Sequence, residues 1–337
     1  MSEYLLEVNH LAKYYKIKGK RLRDPVQYLR AVDDVSFKLK RGEVLGVVGE
    51  SGCGKSTMGN TIIRLLEPTR GEVLFEGKDI AKMSARELRQ HRADIQMIFQ
   101  DPFSSLDPRL HVFDIIAEPL RVHHIVSGKE LENRVFELMD VVGLDRTYAN
   151  RYPHEFSGGQ RQRIGIARAL ALRPKLVICD EPVSALDVSI QAQILNLLVE
   201  LKEKLQLTYI FIAHGLPSVK YISDRIAVMY LGRIVELAET EELFAHPIHP
   251  YTQGLLQAIP IPDPTLRKPD DERQIMGGDI PNALKPPAGC YFHPRCPFAT
   301  PECRNETQEG PPVLREVRPG HFVACFHAGK TGANRPV

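Results

Sequence analysis

The sequence predicts an α/β fold in which parallel strands are covered by helices on both faces. Largely apolar runs at 44–48, 175–179 and 209–213 do not alternate with polar residues, which is typical of strands buried on both faces. Between the second and third runs, apolar residues recur at helical spacing from 190 to 205, which predicts an amphipathic connecting helix. A glycine-rich loop follows the first run directly.

Length and composition limit the class of protein to which the chain can belong. With 337 residues, 43% of them hydrophobic and 26% charged, the chain has the balance of a two-domain globular protein. The net charge of +2 excludes a strongly basic surface, so we expect no nucleic-acid partner. No apolar run approaches the roughly 18 residues that span a bilayer, and the N-terminal segment lacks the pattern of a signal peptide. We therefore expect a cytoplasmic chain that meets a membrane only through another protein.

Shorter strands are predicted on either side of the apolar runs. Residues 33–38 and 71–76 alternate apolar and polar side chains, as half-buried strands do. Residues 226–230 and 233–237 flank the pair Leu231 and Gly232, which predicts a tight hairpin.

The composition changes from about residue 245. Prolines that break regular structure recur there, at Pro260, Pro262, Pro264, Pro281, Pro286, Pro287, Pro294, Pro297 and Pro301. We therefore predict two domains, residues 1–245 and a C-terminal extension at residues 246–337.

The extension carries four cysteines, namely Cys290, Cys296, Cys303 and Cys325. In a cytosolic protein such a group is more typical of a metal site than of disulfides. The spacing lacks the close cysteine pair of structural zinc sites, and four thiolates suit an iron–sulfur cluster. Zinc and free buried thiols remain alternatives, and His293 lies where it could compete as a ligand.

The glycine-rich loop satisfies the phosphate-binding pattern G-x-x-x-x-G-K-[ST] between a predicted strand and a helix predicted to run through Leu66. It consists of Gly49, Glu50, Ser51, Gly52, Cys53, Gly54, Lys55, Ser56 and Thr57. Its N–H groups can surround a β-phosphate, and the helix N-terminus adds a favourable dipole. We expect Lys55 to reach the β- and γ-phosphates and Ser56 to bind Mg²⁺. Cys53 is expected to be only a small residue of the loop, because its neighbours carry the contacts. The alternative is a glycine-rich turn with a chance lysine.

Two carboxylates, Asp180 and Glu181, follow the second apolar run. Ligands bind at the carboxyl ends of the strands in open α/β sheets. Asp180 can hold Mg²⁺ through water, and Glu181 can orient or deprotonate an attacking water. A solvated strand end is the alternative.

A second anion-binding loop is predicted at residues 156–163, directly before a helical pattern at 164–172. It places a serine and two glycines at a helix start, where N–H groups are free to bind phosphate oxygens. One γ-phosphate could satisfy both loops if they came from different subunits, so the pattern indicates a dimer.

These residues resemble the ATP-binding subunits of ABC transporters, in which the stretch at residues 156–163 is the signature motif, with Phe156 in place of the usual leucine. The resemblance covers nearly the whole chain. It implies a P-loop NTPase fold with a RecA-like core, an antiparallel β subdomain, a helical subdomain at about 101–170 and a small cysteine- and proline-rich extension. It also implies ATP and Mg²⁺, bound between two subunits that close head-to-tail. The residues that would contact the other subunit's nucleotide are Ser157, Gly158, Gly159, Gln160 and Asp187.

The resemblance also implies roles for single residues. Tyr15 stands where an aromatic ring stacks on adenine, although a tyrosine of a core or edge strand is the alternative. Gln100 matches a glutamine that contacts Mg²⁺ and the attacking water, and His214 matches a histidine that contacts the γ-phosphate. Gly215 stands where aspartate is common, which removes a carboxylate from the following helix cap. The catalytic set is then Glu181, His214 and Gln100, and the Mg²⁺ set is Ser56, Gln100 and Asp180.

Three stretches, 16–30, 100–109 and 249–256, are most similar to the second, F-type ATPase subunit of dipeptide and oligopeptide importers. That similarity implies ATP-driven peptide import and a [4Fe–4S] cluster on the four cysteines. It also implies a second ATPase subunit as a heterodimer partner (a homodimer in isolation), two transmembrane permeases, an extracytoplasmic substrate-binding protein and a place on the inner face of the cell membrane. The alternatives are importers of nickel, glutathione or oligosaccharides, and a soluble ABC ATPase of DNA repair or translation.

Overall fold

The computed structural model describes residues 3–17, 26–101, 103–259, 278–306 and 310–329. Pro102, Pro260, Pro262, Pro264 and most of the 16–30 stretch lie outside the described residues. The strands are β1 (Tyr4–Ile17), β2 (Gln27–Lys40), β3 (Val44–Val48), β4 (Arg70–Phe75), β5 (Lys78–Asp79), β6 (Ile95–Ile98), β7 (Leu176–Asp180), β8 (Thr208–Ile212), β9 (Arg225–Tyr230), β10 (Arg233–Glu239), β11 (Arg315–Arg318) and β12 (His321–Val323). The helices are α1 (Lys55–Ile62), α2 (Ala85–His91), α3 (Val112–Val122), α4 (Gly128–Val141), α5 (Gly158–Leu170), α6 (Val188–Leu205), α7 (Leu216–Ile222), α8 (Thr240–Ala245) and α9 (Pro250–Gln257).

The chain divides into two compact units, each assembled from several segments. The first unit comprises Met1–Leu6, Lys38–Leu45 and Leu74–His214, and the second comprises Glu7–Phe37, Gly46–Val73 and Gly215–Val337. The predicted domain boundary at residue 245 stays a prediction.

Parallel strands form the core of the first unit, in the order β6–β7–β8. Ile178 of β7 lies opposite Met97 on one side and Ile210 on the other. Every residue of β7 and β8 is buried, as the apolar runs predict. Helix α6 connects these two strands, which confirms the predicted crossover helix. Because the strands are parallel, their carboxyl ends meet at one edge, where the chain places its polar residues.

The first unit is helical between β6 and β7. Helices α3, α4 and α5 pack together through fully buried apolar side chains such as Ile116, Val135 and Ile166. The helical pattern predicted at 164–172 covers only the later part of α5, which begins at Gly158, where the serine and two glycines are expected to start a helix. The polar first turns of α5 show no apolar periodicity, and the N-cap at Ser157 supplies the start instead.

Antiparallel strands dominate the second unit, in the order β9–β10–β12–β11. Leu231 and Gly232 join β9 to β10 with φ values of 44° and 82°, the left-handed pair that a two-residue hairpin turn requires. The predicted hairpin is therefore confirmed. Strand β12 of the C-terminal extension pairs with β10, with Glu236 opposite Val323. Among the described residues, none of the helices combines the length and the apolar character needed to cross a membrane.

Candidate active site

The phosphate-binding loop of the second unit connects β3 to α1. Lys55 is the first residue of α1, and its side chain turns back into the loop. The ammonium donates hydrogen bonds to the carbonyl oxygens of Gly49 (2.8 Å) and Glu50 (3.1 Å), and the residue is only 3% exposed. The loop therefore encloses a buried positive charge, which suits the binding of an anion.

Backbone packing explains why the loop needs glycine at its end. Gly54 has φ 104°, and a Cβ there would lie 2.0 Å from the carbonyl oxygen of Ala31. The N–H of Gly232, in the hairpin turn, donates to the carbonyl of Cys53 at 2.8 Å. Burial raises the pKa of the Cys53 thiol even though the Lys55 ammonium lies nearby. The helix after the loop ends at Ile62 rather than at the predicted Leu66, because Arg64 adopts a left-handed conformation with φ 55°.

Three predicted catalytic residues lie together at the carboxyl edge of the first unit's sheet. Glu181 follows β7 directly, is 4% exposed and has φ 48°. Its Oε2 accepts a hydrogen bond from Gln100 Nε2 at 2.7 Å, and its Oε1 lies 2.5 Å from His214 Nε2. Gln100 comes two residues after β6 and His214 two residues after β8, so adjacent parallel strands deliver all three side chains. Asp180, the last residue of β7, is also buried.

The predicted signature residues and Asp187 lie at two neighbouring helix starts in the first unit. Ser157 caps α5, with its hydroxyl accepting from the Gln160 N–H and its own N–H donating to Gln160 Oε1 at 3.0 Å. Asp187 caps α6 by accepting from the Ile190 N–H at 3.1 Å, which lowers the pKa of that carboxyl. A Cβ on Gly159 would lie 2.5 Å from Ile190 Cγ2, so a glycine is required for the two helix starts to pack.

Two further predicted residues, Tyr15 and Gly215, lie in β1 and at the start of α7. Tyr15 is half-buried in β1, with the Lys13 ammonium 5.3 Å from its ring centroid. Gly215 is the N-cap of α7 and supplies no side-chain hydrogen bond to that helix.

The four cysteines of the C-terminal extension form no disulfide bonds. The pKa of Cys290 is raised to about 12, chiefly by burial and in part by the charges of Cys325, Cys303 and Cys296, so these three cysteines lie near Cys290. Within the described parts of the chain, however, no three or more His, Cys, Asp or Glu side chains are arranged to hold a metal ion. The geometry does not support the expected iron–sulfur site.

Sequence reasoning missed three residues near the predicted sites. His327 Nε2 lies 3.4 Å from Cys303 Sγ, whereas the suspected competitor His293 contacts the Cys290 carbonyl instead. Tyr251 and Arg295 both contact Glu50 of the phosphate-binding loop. The sequence held no signal for these contacts beyond the presence of the extension itself.

Comparison with known proteins identifies relatives of this chain. Residues 32–184 match the family model described as ABC transporter, and residues 235–303 match the C-terminal region of oligopeptide/dipeptide transporters. The oligopeptide transport ATP-binding protein AppF of Bacillus subtilis is 52% identical over 96% of this chain and 97% of its own length. The oligopeptide transport ATP-binding protein OppF of Salmonella typhimurium is 55% identical over 96% of each chain.

Solved structures agree with these relatives. A dimeric ATP-binding cassette in a post-hydrolysis state with ADP and phosphate is 31% identical, with a TM-score of 0.63, over 70% of this chain and 98% of its own. The cbiO1 protein of Clostridium perfringens, part of an ABC transporter complex, is 29% identical with a TM-score of 0.63, over 73% of this chain and 92% of its own. Because the two oligopeptide transport relatives match nearly the whole chain, the chain belongs to the oligopeptide transport ATP-binding proteins of the ABC transporter family.

Proposed function

We propose that this chain hydrolyses ATP and thereby powers ABC-type import of dipeptides or oligopeptides. The observation that carries the proposal is the buried Glu181 carboxylate, held between Gln100 and His214 in a chain of this family. The peptide cargo is supported by the two oligopeptide transport relatives and by the match of residues 235–303.

In the proposed reaction, the phosphate-binding loop holds ATP through its N–H groups and through Lys55. The ammonium exchanges its carbonyl partners for phosphate oxygens and neutralises charge that develops on the transferred group. Ser56, Gln100 and Asp180 would hold Mg²⁺, which would supply further charge neutralisation at the phosphates.

Glu181 acts on water in this proposal. The water oxygen forms a bond to the γ-phosphorus, the bond from that phosphorus to the β–γ bridging oxygen breaks, and Glu181 takes the water's proton, leaving ADP and inorganic phosphate. Each carboxylate oxygen has two lone pairs, so contacts with Gln100 and His214 leave room for the water. These two partners orient the carboxylate before the water arrives.

Two subunits take part in the proposed cycle. Ser157, Gly158, Gly159, Gln160 and Asp187 contact the nucleotide that the other subunit holds. A related ATPase subunit forms the heterodimer on the inner face of the membrane, and two transmembrane permeases and an extracytoplasmic substrate-binding protein complete the importer. The exposed helix start at Ser157 supports this arrangement, because the N-terminus of a helix suits an anion from outside the chain.

We also propose that Cys290, Cys296, Cys303 and Cys325 hold a [4Fe–4S] cluster of structural role, with Zn²⁺ as the alternative. Four cysteine thiols are the donor set that such clusters use, and Cys296, Cys303 and Cys325 each interact electrostatically with Cys290.

Partner identification tests the proposed transport function. The tagged full-length chain, as wild type and as Glu181→Gln, would be purified with ATP from detergent-solubilised native membranes and analysed by mass spectrometry. We expect two multi-span permeases and a second ATPase, with the variant retaining more of the complex. Recovery of only soluble nucleic-acid or ribosomal proteins would overturn the import proposal while leaving ATP hydrolysis intact.

A further inference from the structure

The phosphate-binding loop is tied to the C-terminal extension by an ion pair. Arg295 donates two hydrogen bonds to the Glu50 carboxylate, Nη1 to Oε2 at 2.8 Å and Nη2 to Oε1 at 3.0 Å. The arginine side chain is 6% exposed and the glutamate 22%. A bidentate, charge-assisted pair of this kind is directional, and water screens it little where it is buried.

Every polar group of Glu50 has a partner within the second unit. Its N–H donates to the Tyr251 hydroxyl at 2.9 Å, its carbonyl accepts from the Lys55 ammonium, and its carboxylate accepts from Arg295. Tyr251 is fully buried, and its ring lies against Phe292, with 5.5 Å between centroids. Glu50 therefore connects the lysine that is expected to bind phosphate to residues about 200 positions away in the chain.

The segment that carries Arg295 is short and bracketed by cysteines. Cys290 and Cys296 flank it, and Phe292 packs edge-on against Tyr230, with 5.3 Å between centroids. The Arg295 guanidinium lies 5.9 Å from the ring centroids of both Tyr230 and Phe292. Aromatic packing and two charge-assisted hydrogen bonds together hold the arginine in one position.

We propose that Arg295 is a positioning residue of the phosphate-binding loop, and that the extension sets the chain's nucleotide affinity through Glu50. The inference rests on the proposed function, in which this loop binds ATP. With Arg295 in place, the loop is ordered before nucleotide arrives, so binding does not have to order it. Arg295 also neutralises a carboxylate in a loop that must accept phosphate, and an unpaired Glu50 would repel that phosphate.

Nucleotide titration of the full-length protein tests this proposal. Kd values for MgADP and for the Mg²⁺ complex of a non-hydrolysable ATP analogue would be measured by calorimetry for wild type and Arg295→Met. We expect Arg295→Met to raise both Kd values roughly ten-fold, equivalent to about 1.4 kcal/mol. The two nucleotides should change alike, because both carry the β-phosphate that the loop surrounds. Unchanged Kd values in folded Arg295→Met would overturn the proposal.

A double-mutant cycle shows whether Arg295 acts through Glu50. In Arg295→Met the unpaired Glu50 carboxylate should weaken nucleotide binding, and Glu50→Gln removes that charge. The double variant Glu50→Gln/Arg295→Met should therefore bind nucleotide more tightly than Arg295→Met alone. Strictly additive effects would mean that Arg295 acts independently of Glu50, against the proposal. If Arg295→Met does not fold, Tyr251→Phe removes only the hydroxyl that holds the Glu50 N–H, and a raised Kd is again expected.

Arg315→Met is the matched control. Arg315 lies in the same extension and donates to the backbone carbonyls of Cys325, Phe326 and Ala328, the last at 2.9 Å, so these hydrogen bonds stay within the extension. We expect Arg315→Met to bind nucleotide with the wild-type Kd, provided that its iron content and melting temperature match those of the wild type. Equal weakening by Arg315→Met and Arg295→Met would indicate general loosening of the extension and overturn the proposal. If the wild-type protein bound neither nucleotide, the proposed function itself would fail.

Discussion

The His214 imidazole Nε2 lies 2.5 Å from Oε1 of Glu181, while the other carboxylate oxygen accepts a hydrogen bond from Gln100. The glutamine and the glutamate are 81 positions apart in the chain. They meet because β6 and β8 flank β7 in parallel register, so the residues that follow the three strands converge. The buried carboxylate is thereby fixed in direction before any substrate is present.

Glu181→Gln should separate nucleotide binding from hydrolysis. An amide cannot take a proton from water, and general-base catalysis contributes about 10²–10⁴-fold, so we expect kcat to fall by roughly that factor. The Kd for ATP should remain close to wild type, because the substitution keeps the side chain's size. Phosphate release and calorimetric titration measure the two quantities. Wild-type turnover in this variant would remove Glu181 from the proposed role.

Two glycines of α5 should respond in opposite ways to substitution by alanine. A Cβ on Gly159 would lie 2.5 Å from Ile190 Cγ2, a methyl close to its own backbone, so Gly159→Ala should destabilise the fold by about 1–3 kcal/mol. A Cβ on Gly165 meets nothing within 4 Å, so Gly165→Ala should be neutral or stabilise the helix by up to about 1 kcal/mol. Thermal unfolding of both variants measures the difference. Equal melting temperatures would contradict the packing described for the signature residues.

The buried pair His321 and Glu236 should make stability depend on pH. Both residues are 0% exposed, and His321 Nε2 lies 2.8 Å from Glu236 Oε1. Burial by itself lowers the pKa of His321, but the hydrogen bonds and charges of Glu236 and Glu242 outweigh it, so the folded pKa is raised. Arg318 and His246 also contact Glu242 and moderate its charge. The stabilisation should therefore be complete below about pH 6.5, the unfolded value, and be lost as pH rises through the higher folded pKa.

His321→Gln tests that dependence. We expect the wild-type melting temperature to exceed that of the variant by roughly 2–4 °C at pH 6, and the gap to narrow as pH rises toward 9. A gap that widened with rising pH would show that the histidine is neutral in the folded protein.

Metal analysis tests the proposed cluster. Protein purified without oxygen should contain about four iron and four acid-labile sulfide per chain, and Cys296→Ser should lower both. Cys179→Ala is the control, since Cys179 is buried in β7 of the first unit and should leave iron unchanged. Zinc in place of iron would establish the alternative metal, and the absence of both would leave the cysteines as free thiols.

Local pattern predicts much of the secondary structure. Strand β3 coincides with the predicted run at 44–48, and β7 and β8 lie within one residue of their predicted positions. Continuous burial on both faces produces an unmistakable apolar run, and a left-handed Leu231–Gly232 turn produces a hairpin. The apolar pattern at 164–172 misses the first turns of α5, which are polar, and only the serine and glycines at the helix start indicate them.

The chemical groups that the chain carries can be identified from its amino acids alone: a lysine in a phosphate loop, carboxylates after a core strand, and four clustered cysteines. The position of Glu181 between Gln100 and His214, and the contact of Arg295 with Glu50 across 245 positions, emerge only from the folded chain. Periodicity and loop motifs depend on neighbours within a few residues, so they can be recognised locally. A hydrogen bond between distant segments depends instead on strand order and packing, which leave no local pattern.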